Sequence, residues 1–260
     1  MLEETLSQPA LAIVKKYLEL PFSNKKVNCP YFNNSRHKVR GGFRATVGKG
    51  LPEEIVEEAI IESLKQKIDL EKLNDEQIKK FLVDNNLGID CSALAYYILQ
   101  EELKFKKNKK IIKQIIFPNT KNPFRKLINH LRPAENVSVQ ILSHPQNSQI
   151  IKLSEIKPGD LLIMNETGLD NKINHILIIT KIKYQNNQPQ NITYLHSFRW
   201  RTDGLYNHGV RKGVIEIIDN SENLLNQKWL ENEKENNENE TYLHAKMAKK
   251  LFIKRLKALF

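Results

Sequence analysis

The stretch NNLGIDCSALAYYIL, residues 85–99, sets Cys91 between Asp90 and Ser92, just ahead of an apolar helical pattern. A cysteine so placed falls at a helix N-terminus. Unpaired N–H groups and the positive end of the helix dipole favour a thiolate there. The thiolate is the nucleophilic form of the side chain, and this setting lowers a cysteine pKa. Two later segments supply what a thiol nucleophile needs. NHILIITKI carries His175 at the head of an apolar strand, and ITYLHSF carries His196 near the end of the next. His175 is the candidate general base, and His196 the group that orients its ring. Nucleophile, base and orienting group on three separate elements are the parts of a thiol hydrolase.

These segments resemble the NlpC-type papain-like cysteine peptidases, a family of cell-wall peptide hydrolases. GIDCSALAYYIL is similar to the cysteine-helix signature of that family, KPGDLLIM and NHILIIT to its next strands, and TYLHSF to the strand of its third triad member. The order Cys, His, His agrees, with 84 residues between the first pair and 21 between the second. The longer first interval is attributed to residues 104–150. Two departures stand out: Ala93 replaces the usual glycine after Cys-Ser, and Leu177 the usual glycine after the histidine. The resemblance covers residues 85–217. It implies a papain-like core, with a cysteine-bearing helix packed on a small antiparallel sheet. It also implies that Asp90 and Ser92 help shape the pocket for a peptide's amino end. Pro30-Tyr31 and Gly41-Gly42 echo upstream family segments, which makes Tyr31 a candidate oxyanion donor.

The elements that must position these groups are legible in outline. Residues 9–20, 52–67 and 75–84 read as helices, the second with Pro52 in its first turn and acidic and basic residues at its expected ends. The cysteine helix follows at about 91–103. The period then changes. Residues 160–165, 174–183, 191–198 and 209–218 read as four strands of an antiparallel meander, separated by Pro158-Gly159-Asp160, Asn186-Asn187 and the segment from Gly204 to Gly209. Helices followed by strands indicate an α+β fold. The expected organisation is a helical and irregular region at 1–84 packing on the core, and a catalytic domain at 85–220 with a basic insertion at 104–150. Residues 221–260 follow as an acidic linker and a basic amphipathic C-terminal helix.

The formal net charge is +11 over 260 residues, which attracts anionic partners and says nothing of fold. The basic run 104–113 contains one aromatic residue, Phe105, and so lacks a stacking platform for nucleic acid. No specific nucleic-acid partner is expected. The C-terminal helix is a candidate contact to an anionic membrane or polymer. The loop 197–209 interleaves Phe198, Trp200 and Tyr206 with Arg199 and Arg201; Arg199 and Trp200 are candidates for binding substrate, with the arginines holding its carboxylates. His208 is expected to be exposed, and Cys29 to be structural. Two cysteines make no disulfide framework. The N-terminus lacks a signal-peptide pattern, which implies a cytoplasmic protein unless export takes another route. No histidine or cysteine spacing suggests a metal site, and no cofactor motif is present.

The expectation is a cysteine hydrolase that cleaves an amide in short peptidoglycan-derived peptides through a thioester acyl-enzyme. An acyltransferase with the same nucleophile, and an inactive binding protein acting through its basic surface, are the alternatives.

Overall fold

The structure is a computed structural model that describes residues 2–34, 42–118, 120 and 122–260. The Gly41 half of the Gly41-Gly42 pair lies outside them. The chain opens with strand β1 (Leu2–Thr5) and helices α1 (Gln8–Leu18), α2 (Pro52–Gln66), α3 (Asp75–Asp84) and α4 (Cys91–Lys107). Three shorter helices follow: α5 (Pro123–Leu131), α6 (Pro133–Asn136) and α7 (Val139–Ser143). The second half holds β2 (Ser148–Ile150), β3 (Leu161–Thr167), β4 (Ile173–Gln185), β5 (Gln188–Phe198) and β6 (Gly209–Glu216). It ends with β7 (Lys228–Glu231), β8 (Lys234–Glu235), α8 (Glu240–Met247) and β9 (Lys250–Leu256).

All nine strands join one antiparallel sheet in the order β2-β9-β3-β4-β5-β6-β7-β8, and β1 pairs with the far half of β4. Alternation of side chains gives the sheet two apolar faces. Leu161, Ile163, Ile176, Ile178 and Leu195 pack with α1, α2, α3 and α4 in one core. Leu162, Met164, Leu177, Ile179, Tyr194, Trp229 and Ile253 form a second core on the other face, closed by Tyr242 and Ala245 of α8. Helix α4 is apolar nearly all round and buried from Cys91 to Leu99. It is the central helix of the first core.

The expectation of a papain-like core on a small sheet is overturned, because the sheet has nine strands and its extra members come from both ends of the chain. The C-terminal stretch does not form the amphipathic helix expected of it. The helix stops at Met247, and KLFIKRL runs as β9 between β2 and β3. Its residues also satisfy a period of two, and tertiary partners on both edges decide for strand. Arg255 grips Asp160 with two bonds of 2.8 Å, and the Lys254 ammonium donates to the Ser143 carbonyl. The expected membrane contact through a C-terminal helix therefore has no such helix to carry it. Nor is 231–240 a linker or an exposed helix. Asn232 and Glu233 both take positive φ, at 50° and 63°, and close a two-residue hairpin between β7 and β8.

Candidate active site

The N-terminus of α4 is held by a compact polar cluster. The Asp90 carboxylate accepts from the Ala93 amide at 2.8 Å and from the Ser92 hydroxyl at 2.9 Å. Its other oxygen meets the Lys49 ammonium at 2.7 Å. Lys49 also donates to Ser92 at 2.8 Å and to the Val137 carbonyl at 3.0 Å. All three side chains are buried. The approach to the helix is fixed by Gly88, where a Cβ would stand 2.4 Å from the Pro30 carbonyl oxygen. Only glycine lets residues 30–32 run beside residues 88–89.

Strands β4 and β5 part just where α4 begins. Their ladder runs from Gln185↔Gln188 to Ile178↔Leu195 and stops. Beyond that point β3 still pairs with β4 as far as Ile173, and β6 with β5 as far as Phe198. The two strands thus form a fork. The Cys91 sulfur accepts from the Ile176 amide on one prong. The Ser197 hydroxyl on the other donates to the Ile89 carbonyl at 2.8 Å. His175 and His196 fall on the face of Leu177 and Tyr194, away from α4.

The histidines bridge the fork and continue into a carboxylate. His175 Nε2 lies 3.0 Å from His196 Nδ1, and His196 Nε2 lies 2.9 Å from Glu231 Oε2. Glu231 also accepts from Tyr194 Oη at 3.0 Å and from Thr241 Oγ1 at 3.0 Å. Thr241 in turn accepts from Trp200 Nε1 at 3.1 Å. Arg211, anchored on Asp203 by bonds of 2.9 and 2.7 Å, brings a guanidinium nitrogen to 3.8 Å from Glu231. Gly213 makes room for the Tyr194 ring, since a Cβ there would lie 2.1 Å from it.

Burial raises the Glu231 pKa, but His196, Arg211 and Thr241 outweigh it and the net shift is downward. Glu231 is therefore a carboxylate and accepts only, so His196 donates to it from Nε2. His175 Nδ1, at the other end of the chain, has no hydrogen-bond partner among the described residues. Burial, followed by the charges of His196, His244 and Arg211, holds the His175 pKa well below the usual value. The His175 ring is neutral.

The thiol behaves differently from the expectation. Burial pushes the Cys91 pKa up to about 12, with a further rise from the Asp90 carboxylate. The helix end is present, but its cap is an anion that offsets the dipole, and the residue is 6% exposed. The Cys91 thiol and the His175 imidazole are both neutral. No hydrogen bond joins Cys91 to His175; the sulfur rests one peptide unit away, on Ile176. Catalytic contacts of this kind often tighten only around a substrate.

His175 and His196 are brought together at 3.0 Å, and Cys91 meets the backbone of Ile176 next to His175. Tyr31 joins them indirectly: its ring lies 5.1 Å from that of Phe198, whose ring is 4.7 Å from His175. Trp200 is buried against both imidazoles, 5.6 and 5.9 Å away between ring centroids. Arg199 is exposed. Asp90 and Ser92 face Lys49 in a closed cluster. His208 is buried rather than exposed; its Nδ1 accepts from the Tyr31 amide at 3.2 Å, and burial lowers its pKa to about 4. Lys49, Glu231, Thr241 and Arg211 had no sequence signal of their own, because each acquires its role only through a distant partner.

Among the described residues no group of three or more His, Cys, Asp or Glu side chains is placed to hold a metal ion, and no helix is long and apolar enough to cross a membrane. No family model, curated protein or solved structure matches the chain.

Proposed function

We propose that this protein is a cysteine hydrolase acting on amide bonds, with Cys91 as nucleophile and His175 as general base. The observation that carries the reading is the Glu231–His196–His175 chain, which ends on a buried His175 Nδ1 without a hydrogen-bond partner among the described residues; read with both rings neutral, that nitrogen holds the lone pair that takes the thiol proton. In the reaction the thiol proton passes to His175 Nδ1 as sulfur attacks the carbonyl carbon. The S–C bond forms, and the carbonyl oxygen takes the negative charge. Collapse breaks the C–N bond, and the proton on His175 leaves with the amine. Water then attacks the thioester, giving its proton to His175. Collapse breaks the C–S bond, the acid departs, and the thiolate recovers that proton from His175. His196 and Glu231 are positioning residues: they hold the tautomer and stabilise the imidazolium that forms.

A short peptide from the bacterial cell wall is the substrate class implied by the NlpC-type resemblance of residues 85–217. The acyltransferase alternative shares every step up to the thioester and differs in the acceptor.

The test is alkylation of Cys91 and Cys29 by iodoacetamide across pH, followed by peptide mass spectrometry in wild type and His175→Ala. Cys91 is expected to react faster than Cys29 near neutral pH, with the advantage lost in His175→Ala. Burial holds the Cys29 thiol far above the usual range, so it serves as the inert reference. Equal, slow reaction of both thiols in both proteins would overturn the proposal. Mass spectrometry of wall stem peptides incubated with the protein then reads cleavage directly.

A further inference from the structure

The positive charge of the chain is concentrated in one place. Residues 104–132 contain 10 Lys and Arg and no Asp or Glu. The whole chain carries a net +11, so the remainder is nearly neutral. Within that segment Lys104, Lys106, Lys107, Lys109, Lys110 and Lys113 are exposed.

The same segment holds a helix that is turned inside out. In α5 the large apolar residues follow the helical repeat at Phe124, Leu127, Ile128 and Leu131. A surface helix normally buries such a stripe. Here the four side chains are 76%, 57%, 43% and 71% exposed, and the buried residue is Asn129. The stripe is extended by Phe43, 75% exposed, whose neighbour Gly42 accepts from Arg132 at 2.7 Å. Exposed Arg125 and Lys126 stand on the same helix. A contiguous apolar patch rimmed by like charge marks an interaction surface rather than a folding defect.

From these observations we infer that α5 and the flanking basic residues form a docking surface for an anionic lipid bilayer. The apolar stripe enters the boundary between headgroups and acyl chains, and the lysines and arginines meet anionic headgroups. Nucleic acid would reward the charge but not four outward aliphatic and aromatic side chains without a stacking partner. The surface leads directly through α6 to Val137, whose carbonyl accepts from Lys49 and Ser92. Docking therefore acts only a few residues from the cap of the cysteine helix.

The test is sedimentation of the full chain with sucrose-loaded vesicles of phosphatidylcholine, with or without about 30% phosphatidylserine. Wild type is expected to sediment with the anionic vesicles and little with the neutral ones, and to be released as salt rises from about 0.1 to 0.5 M. The double variant Leu127→Ser/Leu131→Ser should lower the partition coefficient at least about tenfold. Arg125→Glu/Lys126→Glu should lower binding to anionic vesicles alone. Both pairs are exposed, and matching thermal transitions would show that the variants fold. No sedimentation with either vesicle overturns the proposal. So does undiminished binding by the Leu127/Leu131 variant, or a duplex oligonucleotide that binds wild type and this variant equally and strips both from vesicles. A wild-type dimer that this variant converts to monomer, without vesicle binding, overturns it as well and assigns the patch to a second copy.

Discussion

Residues 85–99 and residues 228–256 serve the same fork in the sheet, yet only the first announces itself. The first stretch presents Cys91 with its neighbours: Asp90 caps, Ser92 and Ala93 begin the helix, and the apolar run behind them is buried. The second supplies Glu231 and Thr241 to the histidines and adds β9 to the sheet. In sequence it is an acidic polar stretch followed by basic and apolar residues. A cysteine at a helix end is a local arrangement, so local residues spell it. The support of His175 spans strands, and no short window contains it.

The comparison implies that damage to the second stretch costs structure and damage to the first costs chemistry. The largest effect is expected from removing residues 249–260. This deletes β9 from between β2 and β3, and the product should show no cooperative thermal transition by circular dichroism. Cys91→Ala comes next. Turnover should fall by about 10⁴-fold or more while the melting temperature stays close to wild type. Cys29→Ala should leave turnover within about twofold, since that thiol only packs. An active Cys91→Ala protein would remove the distinction between the two regions.

Lys49→Met tests whether the polar cluster under the first stretch is structural. It leaves the buried Asp90 carboxylate without its cation, and about 3–5 kcal/mol of stability should be lost in urea denaturation. An unchanged midpoint would show that Ser92 and the Ala93 amide suffice to hold the carboxylate.

Glu231→Gln sharpens the contrast from the other side. An amide can donate to His196 Nε2, which reverses the proton assignment along the chain and places a proton on His175 Nδ1. A fall of about 10²-fold in kcat with little change in KM is expected. The ¹⁵N shifts of the His175 ring should report the change of tautomer. Loss of rate without that change would make Glu231 a packing residue only.

The smallest effect is in pH. The folded pKa of His175 lies below its unfolded value, and that of His208 falls to about 4. Below about pH 6.5 the unfolded chain binds protons that the folded chain does not, so stability falls on acidification. The Cys91 pKa is raised to about 12, so above about pH 8.5 the unfolded thiol ionises first and stability falls again. Each group contributes a slope of up to about 1.4 kcal/mol per pH unit, on a plateau between these limits. Chemical denaturation across pH reads it, and a curve still rising below pH 6 would contradict the neutral His175.

Helices α1 to α4 and the meander β3 to β6 could be read from periodicity and turn residues to within a few positions, because each depends on contacts near in sequence. The same holds for His175 and His196 as neighbours on adjacent strands. The hairpin at Asn232-Glu233 escaped because Glu and Lys flank it where apolar strand signals are usual. KLFIKRL escaped because its apolar residues satisfy a helical stripe and an alternating strand alike. Only the vacant edges of β2 and β3 choose between them.

The sequence by itself determined that a cysteine would open a buried helix capped by Asp90 and that two histidines would lie on neighbouring strands. Capping chemistry and side-chain period act within a few residues. The tertiary structure alone decided that β4 and β5 part around the thiol, that Glu231 closes the chain of imidazoles, and that burial leaves the thiol protonated. Those outcomes depend on which distant groups share a low-dielectric interior, and a buried charge or lone pair takes its state from the partners that folding brings to it.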